Sequence, residues 1–247
     1  VFKKLQEDFP NQSKRAMFVG GCVRKYITNN EIDDIDIATS LTTIQIKEKF
    51  KNTKFRVIDS GVKHGTVTLV SEKLKLELTT LRKDLKTDGR HAEIEYTDDW
   101  REDSNRRDFT INSIYLDIRG KIFDPHSGVE DLKNCKVKFI GEPVKRIEED
   151  YLRIIRFIRF ALEYESEVEE KTIEAIKLNL NGIRKISKER ILSELFKILS
   201  LKNFIRLNDH KDLKDIFFLI FPEFKHLKRL DKLNKTSLKY NFSKKIL

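Results

Sequence analysis

Near residue 141 the hydrophobic rhythm of the chain changes, and the two rhythms call for different folds. Upstream, apolar residues come in short alternating runs. "RAMFVGG" reads as a strand running into a glycine turn, "DIDIAT" alternates like a half-exposed strand, and "LKLELTTLR" is a further strand. "FRVIDSGVKHGTVTLV" reads as strand broken by a glycine turn, and "IQIKEKF" as a short helix after the cap residues of "TSLTT". "GRHAEIEYTDDW" reads as a polar loop with a short strand, "DFTINSIYLD" as helix or strand, and "GKIFDPHSGVEDLKN" as a turn-rich connector. Downstream, "RIEEDYLRIIRFIRFALEY", "EEKTIEAIKLNL" and "SKERILSELFKILS" all carry helical periodicity, and Gly182 is the only glycine after Gly141. The expected fold is α+β. A mixed β-sheet head with flanking helices covers residues 1–140, an all-helical neck 141–200, and a basic, partial helical body 201–247.

At 247 residues, with 39% hydrophobic residues and 17 Phe, the chain can bury a real core. No run approaches the roughly 18 apolar residues of a membrane span. "VFKKLQEDFPNQSKR" has no apolar signal core, so no membrane partner is expected. The missing initiator Met implies a processed or trimmed N-terminus. Cys22 and Cys135 lie far apart without metal-ligand spacing, which argues against a disulfide framework or zinc site and fits a reducing, cytoplasmic setting. Both read as small buried hydrophobes. The net charge of +10 is uneven: residues 1–183 carry 33 basic and 33 acidic residues, and residues 184–247 carry 17 and 7. A basic block after a neutral region points to a polyanionic partner, although a lysine-rich solvated surface gives the same count.

Four stretches could carry chemistry. In "FVGGCVR" a glycine turn at a strand end lets backbone N–H groups approach an anion, and Arg24 follows Gly20 and Gly21 by one helical turn. Taken alone, such a turn is also common in ordinary loops. In "DDIDIAT" strand alternation puts Asp34 and Asp36 on one face, with Ile35 and Ile37 toward the core and Asp33 pointing away. Paired carboxylates repel unless a cation sits between them, and Mg²⁺ takes one or two carboxylates plus phosphate oxygens. Glu77 is a third carboxylate if its strand lies beside the first. "RRDFTINSI" offers Arg106, Arg107, Asp108 and Asn112 for phosphate and ribose contacts, or a surface ion-pair cluster. In "EEDYLRIIRFIRF", Arg153, Arg156 and Arg159 form a basic stripe opposite Ile154, Phe157, Ile158 and Ala161, as in an amphipathic helix with snorkelling arginines. Asp150 stands one turn before Arg153.

"GGxVR", "DIDIAT", "RRDFTIN", "DPHSGVEDL" and "EDYLRIIRFIRF" follow one another in the order found in bacterial-type (class II) CCA-adding tRNA nucleotidyltransferases and their poly(A) polymerase relatives. These belong to the DNA polymerase β-like nucleotidyltransferase superfamily, and the resemblance covers roughly residues 16–200. It implies that residues 1–140 are a nucleotidyltransferase catalytic head. Gly20, Gly21 and Arg24 match the triphosphate-binding motif, and Asp34 and Asp36 the metal-binding carboxylates. Arg106, Arg107, Asp108 and Asn112 match the motif near the nucleotide sugar and phosphates. Asp150 and Arg153 match the pair that reads the incoming base, with Arg156 and Arg159 continuing the nucleotide-facing helix. "SKERILSEL" resembles the motif that steadies the helical neck.

The implied reaction is template-independent addition of CCA to tRNA 3′ ends from CTP and ATP, with release of pyrophosphate. One Mg²⁺ would lower the pKa of the primer 3′-hydroxyl and a second would neutralise the triphosphate. Positioning and charge stabilisation dominate such transfers, so no covalent nucleophile is needed. Base choice has its own physical logic. Aspartate only accepts hydrogen bonds and arginine only donates them. Cytosine and adenine each present an amine beside a ring-nitrogen acceptor, whereas guanine and uracil present a carbonyl beside a protonated nitrogen. Asp150 with Arg153 therefore suits CTP and ATP, and each mismatched group with GTP or UTP costs about 1–3 kcal/mol.

None of the five His residues is required; His126 and His210 read as surface or turn residues, and "DHKD" lacks the partner histidines of a metal phosphohydrolase. Lys25 departs from the family, which usually has Asp there. Residues 81–100 resemble the flexible loop that CC-adding relatives lack, which favours a CCA-adding or A-adding activity. Because the chain stops soon after "KYNFSKKIL", the tRNA-binding part is expected to be truncated or unusually small. The alternatives are a poly(A) polymerase or A-adding enzyme, and a non-catalytic RNA-binding protein on a decayed transferase head.

Overall fold

A computed structural model describes residues 1–6, 15–61, 65–87 and 92–224. The chain forms two compact units, Val1–Asp150 and Tyr151–Leu247. The first holds α1 (Phe2–Gln6), β1 (Ala16–Val19), α2 (Gly21–Ile27), β2 (Ile35–Thr39), α3 (Thr43–Phe50), β3 (Arg56–Gly61), β4 (Thr66–Val70), β5 (Lys75–Thr80), β6 (Arg82–Thr87), β7 (Ala92–Tyr96), α4 (Trp100–Asn105), β8 (Tyr115–Leu116), β9 (Ile122–Phe123), α5 (Gly128–Lys133) and α6 (Pro143–Glu149). Seven strands make one mixed sheet in the order β3-β4-β5-β2-β1-β8-β9. Only β2 and β5 run parallel, and α3, β3 and β4 supply the crossover that a parallel pair needs.

Alternation gives the sheet two different faces. Ala16 and Phe18 of β1, Ile35 and Ile37 of β2, Val67 and Leu69 of β4, and Leu76 and Leu78 of β5 pack with Phe2, Leu5, Ile46 and Phe50 into one core. The intervening residues point the other way. Met17, Val19 and Ala38 form a smaller core with Trp100 and Tyr115, and Asp36, Glu77, Thr66 and Thr68 make the rest of that face polar. The expected helix at "IQIKEKF" is α3, started by a capping box in which Thr42 and Gln45 satisfy each other's backbone N–H groups.

Over its described residues, the stretch resembling a flexible loop is a hairpin of β6 and β7. Its root is tied to the main sheet where Leu81 N–H donates to Thr39 and Thr97 N–H donates to Leu81, at 2.8 and 3.0 Å. Residues 88–91 lie outside the described residues, as do residues 225–247, where much of the expected basic tRNA contact falls.

The second unit holds α7 (Leu152–Glu163), α8 (Glu170–Asn179), a 3₁₀ turn at Leu180–Lys185, α9 (Lys188–Leu199), another at Phe204–Asp209, and α10 (Lys211–Ile220). Nine of the twelve residues of α7 are buried, so α7 is the central helix of the unit and not a surface helix with one apolar stripe. Among the described residues, no helix is long and apolar enough to cross a membrane.

The division of the chain and the exposure of Cys135 each have a local cause. The units divide between Asp150 and Tyr151, later than the change of rhythm at 141. Helix α6 stays with the head because Ile147 is fully buried and Arg146 donates to the Arg107 carbonyl at 2.5 Å. Cys22 is buried as expected, but Cys135 is exposed, since it turns the chain after α5 in a left-handed conformation with φ 53°.

Candidate active site

The site is built on the polar face of the sheet. Gly20 ends β1 at φ 74° and ψ −129°, a conformation open only to glycine. A Cβ there would stand 3.6 Å from Asp36 Oδ2, an ordinary contact, so the position needs glycine for its backbone angles and not for space. Register places Val19 opposite Asp36 on one side and Glu77 opposite Asp36 on the other. The strand of Glu77 thus lies beside that of Asp36, which meets the condition set for Glu77 as a neighbouring carboxylate.

Asp36 is half-buried, whereas Asp34 and Glu77 are exposed. Burial first, and then the Glu77 carboxylate, push the Asp36 carboxyl up to about 6; Asp34 adds to this, and Arg107 and Arg24 oppose it. Among the described residues, no group of three or more His, Cys, Asp or Glu is arranged to hold a metal ion by itself. Asp36 therefore meets two further carboxylates, those of Glu77 and Asp34, and each raises its carboxyl. Asp33 points away and pairs with Lys25 at 2.5 Å, which gives the unusual Lys25 a partner of its own.

The arginines are organised by a residue that the sequence reading passed over. Asp103, in α4, is fully buried. Its Oδ1 accepts from Arg106 Nε at 2.9 Å and its Oδ2 from Arg107 Nη2 at 3.1 Å and Tyr115 Oη at 2.7 Å. Burial alone would raise this carboxyl, but the Arg106 and Arg107 guanidiniums outweigh it and hold the group far below the usual carboxylate range. Arg107 also donates to Tyr115 Oη at 3.0 Å and lies over that ring at 5.2 Å. The available signal was an Asp three and four residues before a double arginine, on one face of a short helix.

Asp108 and Asn112, expected near the nucleotide, are both buried and serve Arg24. Arg24 Nη1 donates to Asn112 Oδ1, and Asn112 Nδ2 donates to Asp108 Oδ1 at 2.7 Å. The glycine motif and the "RRDFTIN" motif are thereby one hydrogen-bonded assembly. "DPHSGVEDL" supports it from behind. Asp124 accepts the N–H groups of Gly128 and Val129 at 2.8 Å each, and a Cβ on Gly128 would lie 2.2 Å from the Thr110 carbonyl oxygen. His126, expected on the surface or in a turn, lies in a turn, half-buried and bonded to Ser104 Oγ at 3.0 Å.

Asp150 closes α6, and Arg153 lies buried in the first turn of α7. Arg156 and Arg159 share a partner within the helical unit. Glu194 of α9, the glutamate of "SKERILSEL", accepts from Arg159 Nε at 2.8 Å and lies 3.6 Å from Arg156 Nη1. Their stripe ties α7 to α9, so they support the helix that carries Arg153.

A polar sheet face with a glycine turn, paired aspartates and anchored arginines defines a nucleotidyltransferase head. The family model "Poly A polymerase head domain" matches residues 16–138, and "Probable RNA and SrmB- binding site of polymerase A" matches residues 167–227. The chain is 46% identical over 201 residues to the CCA tRNA nucleotidyltransferase 1, mitochondrial, of Homo sapiens, covering 80% of this chain and 46% of that protein. The crystal structure of the Bacillus stearothermophilus CCA-adding enzyme in complex with CTP aligns with a TM-score of 0.69 at 37% identity, over 77% of this chain and 46% of that one. A tRNA nucleotidyltransferase complexed with a primer tRNA and an incoming ATP analog aligns at 0.74 and 26% identity, over 93% and 68%. The chain belongs to the family of CCA-adding tRNA nucleotidyltransferases and poly(A) polymerases. It spans about half the length of the curated relatives it matches.

Proposed function

We propose that this chain adds C, C and A to tRNA 3′ ends from CTP and ATP, releasing pyrophosphate at each step. The observation that carries the reading is Asp36. A carboxyl pushed up to about 6 by burial and by two neighbouring carboxylates, beside the glycine turn at Gly20, is a site short of positive charge next to a cradle for phosphates. Its donors are hard oxygens, two in number, which suits Mg²⁺ completed by triphosphate oxygens. Mg²⁺ held there by Asp34 and Asp36 supplies the charge that acidifies the primer 3′-hydroxyl and stabilises the leaving pyrophosphate.

The chain's own residues do the rest. Gly20 and Gly21 let the triphosphate approach backbone N–H groups at the start of α2. Arg24, fixed by Asn112, and Arg106, fixed by Asp103, bind its oxygens. The primer oxygen bonds to the α-phosphorus as the bond to the β-phosphate breaks, and the hydroxyl proton leaves to solvent. Asp150 and Arg153 choose the base by accepting from and donating to its amine and ring nitrogen. The basic tail favours an RNA primer, and two unpaired cysteines fit a reducing, cytoplasmic compartment.

The test supplies tRNA lacking its 3′ end with each NTP singly and with CTP and ATP together, then sequences the products. Ordered CCA ends are expected. Long A runs on arbitrary RNA would identify a poly(A) polymerase instead, and no incorporation at all would mark a non-catalytic RNA-binding protein. Asp150→Ala should relax the choice among NTPs; unaltered selectivity would remove the base-reading pair.

A further inference from the structure

Gly182 interrupts an otherwise glycine-free helical half, and its backbone does not explain why. The described glycines with positive φ are Gly20, Gly65, Gly120 and Gly141, so any residue could adopt the Gly182 backbone. What glycine supplies there is room. A Cβ on Gly182 would lie 2.0, 2.1 and 2.5 Å from Cδ1, Cε1 and Cγ of Tyr151, distances that no pair of unbonded carbons tolerates. The Tyr151 ring is seated directly on the backbone of the 3₁₀ turn Leu180–Lys185, and Lys185 of the same turn holds its ammonium 5.3 Å from the ring centroid.

Tyr151 immediately precedes α7, and its carbonyl accepts the Ile154 N–H at 3.1 Å. Arg153 lies within that same first turn. The far end of α7 is held separately, where Arg159 donates to Glu194. The ring on Gly182 is thus the anchor at the end of the helix that carries Arg153.

We propose that Tyr151 and Gly182 are positioning residues for base choice: the ring seated on the glycine sets where α7 begins and so where the Arg153 guanidinium stands. This rests on the reading of Asp150 and Arg153 as the base-selecting pair. A methyl group at 182 forces the ring or the turn to move by about 1 Å, and misplacement on that scale costs a polar recognition site up to about 10²-fold. Phosphate binding and metal binding belong to the head and are not addressed by this contact. Selectivity is therefore the quantity that should move.

The experiment measures kcat/KM for CTP and for UTP on tRNA lacking its 3′ end, together with thermal midpoints. Gly182→Ala is expected to lower the CTP-over-UTP ratio about tenfold or more. Tyr151→Ala, which removes the anchor without any clash, should lower it comparably, and Tyr151→Phe should keep it because the ring is retained. Combining Gly182→Ala with Tyr151→Ala should recover the thermal midpoint lost in Gly182→Ala but not the ratio. A wild-type ratio in Tyr151→Ala, or a Gly182→Ala protein that loses only thermal stability, overturns the proposal. If Gly182→Ala does not fold, Tyr151→Ala decides alone. Asp150→Ala run alongside separates the two readings. Unchanged selectivity there refutes the base-reading pair, whereas altered selectivity there with wild-type ratios at Tyr151 and Gly182 refutes only the positioning.

Discussion

Asp36 and Asp103 are two carboxylates withdrawn from water in the same head, and their surroundings push them in opposite directions. Asp103 is fully buried but meets two guanidiniums and a tyrosine hydroxyl, which hold it ionised far below the usual carboxylate range. Asp36 is only half-buried, yet it faces Glu77 and Asp34, and its carboxyl rises to about 6. One charge is compensated inside the chain; the other meets burial and like charges that outweigh the nearby Arg107 and Arg24. A fold that merely tolerated acidic residues would have no reason to set Asp36 against Glu77 across paired strands while placing two arginines on a carboxylate elsewhere. The difference separates a carboxylate that organises the arginines from one whose charge the head leaves under-compensated.

The contrast can be broken at several points. The largest effect is expected from Asp34→Ala with Asp36→Ala, which removes the donor set. Nucleotide addition should fall by at least about 10³-fold while tRNA binding, measured by filter retention, is largely kept. Unimpaired addition would show that these carboxylates hold no catalytic cation. Next in size is Asp103→Ala, which leaves two arginines without their buried partner. It should cost about 3–5 kcal/mol in urea unfolding and raise KM for the NTP through Arg106. A protein of wild-type stability and KM would deny Asp103 its organising role.

Acid should separate the two carboxylates further. The Asp103 carboxyl is depressed in the folded chain, so its contribution is complete above the ordinary value near about 4 and is lost as pH falls toward the depressed value. Wild type should therefore lose more stability than Asp103→Asn between pH 5 and pH 3, as read by urea midpoints; parallel curves would contradict this. The smallest effect belongs to Lys25→Ala. The pair with Asp33 is solvent-exposed and close to the surface norm, so its loss should shift stability by under about 0.5 kcal/mol. A larger shift, or a change in NTP binding, would bring Lys25 into the site.

What could be read from sequence follows physical range. Strand alternation is local, so the opposite faces of Asp36 and Ile37 were visible in six residues, and the glycine turn was visible beside them. The pairing of β2 with β5, forty residues on, could only be stated as a condition on Glu77. Asp103 was passed over because α4 is too short to show a period and Tyr115, in β8, is twelve residues on. Arg156 and Arg159 look solvent-facing in any helical projection, and only Glu194, thirty-five residues beyond Arg159, shows that they brace α7. Gly182 stood out as a solitary glycine, but the reason is a ring thirty-one residues earlier, which no window contains.

The contrast between Asp36 and Asp103 comes down to one measurement: thermal unfolding of wild type and Asp36→Asn at pH 7.5, with and without Mg²⁺ and CTP. The raised Asp36 carboxyl favours the neutral form in the folded chain, so its ionisation costs stability progressively from the ordinary value near about 4 and the cost is complete once pH has passed about 6. Without Mg²⁺, Asp36→Asn should be more stable than wild type by about 1–3 kcal/mol, the scale of a shift of that size in a partly buried group. With Mg²⁺ and CTP, wild type should gain stability and Asp36→Asn should gain little. A variant that is less stable than wild type without Mg²⁺, or that gains as much as wild type with it, would contradict a site left charged in order to bind a cation.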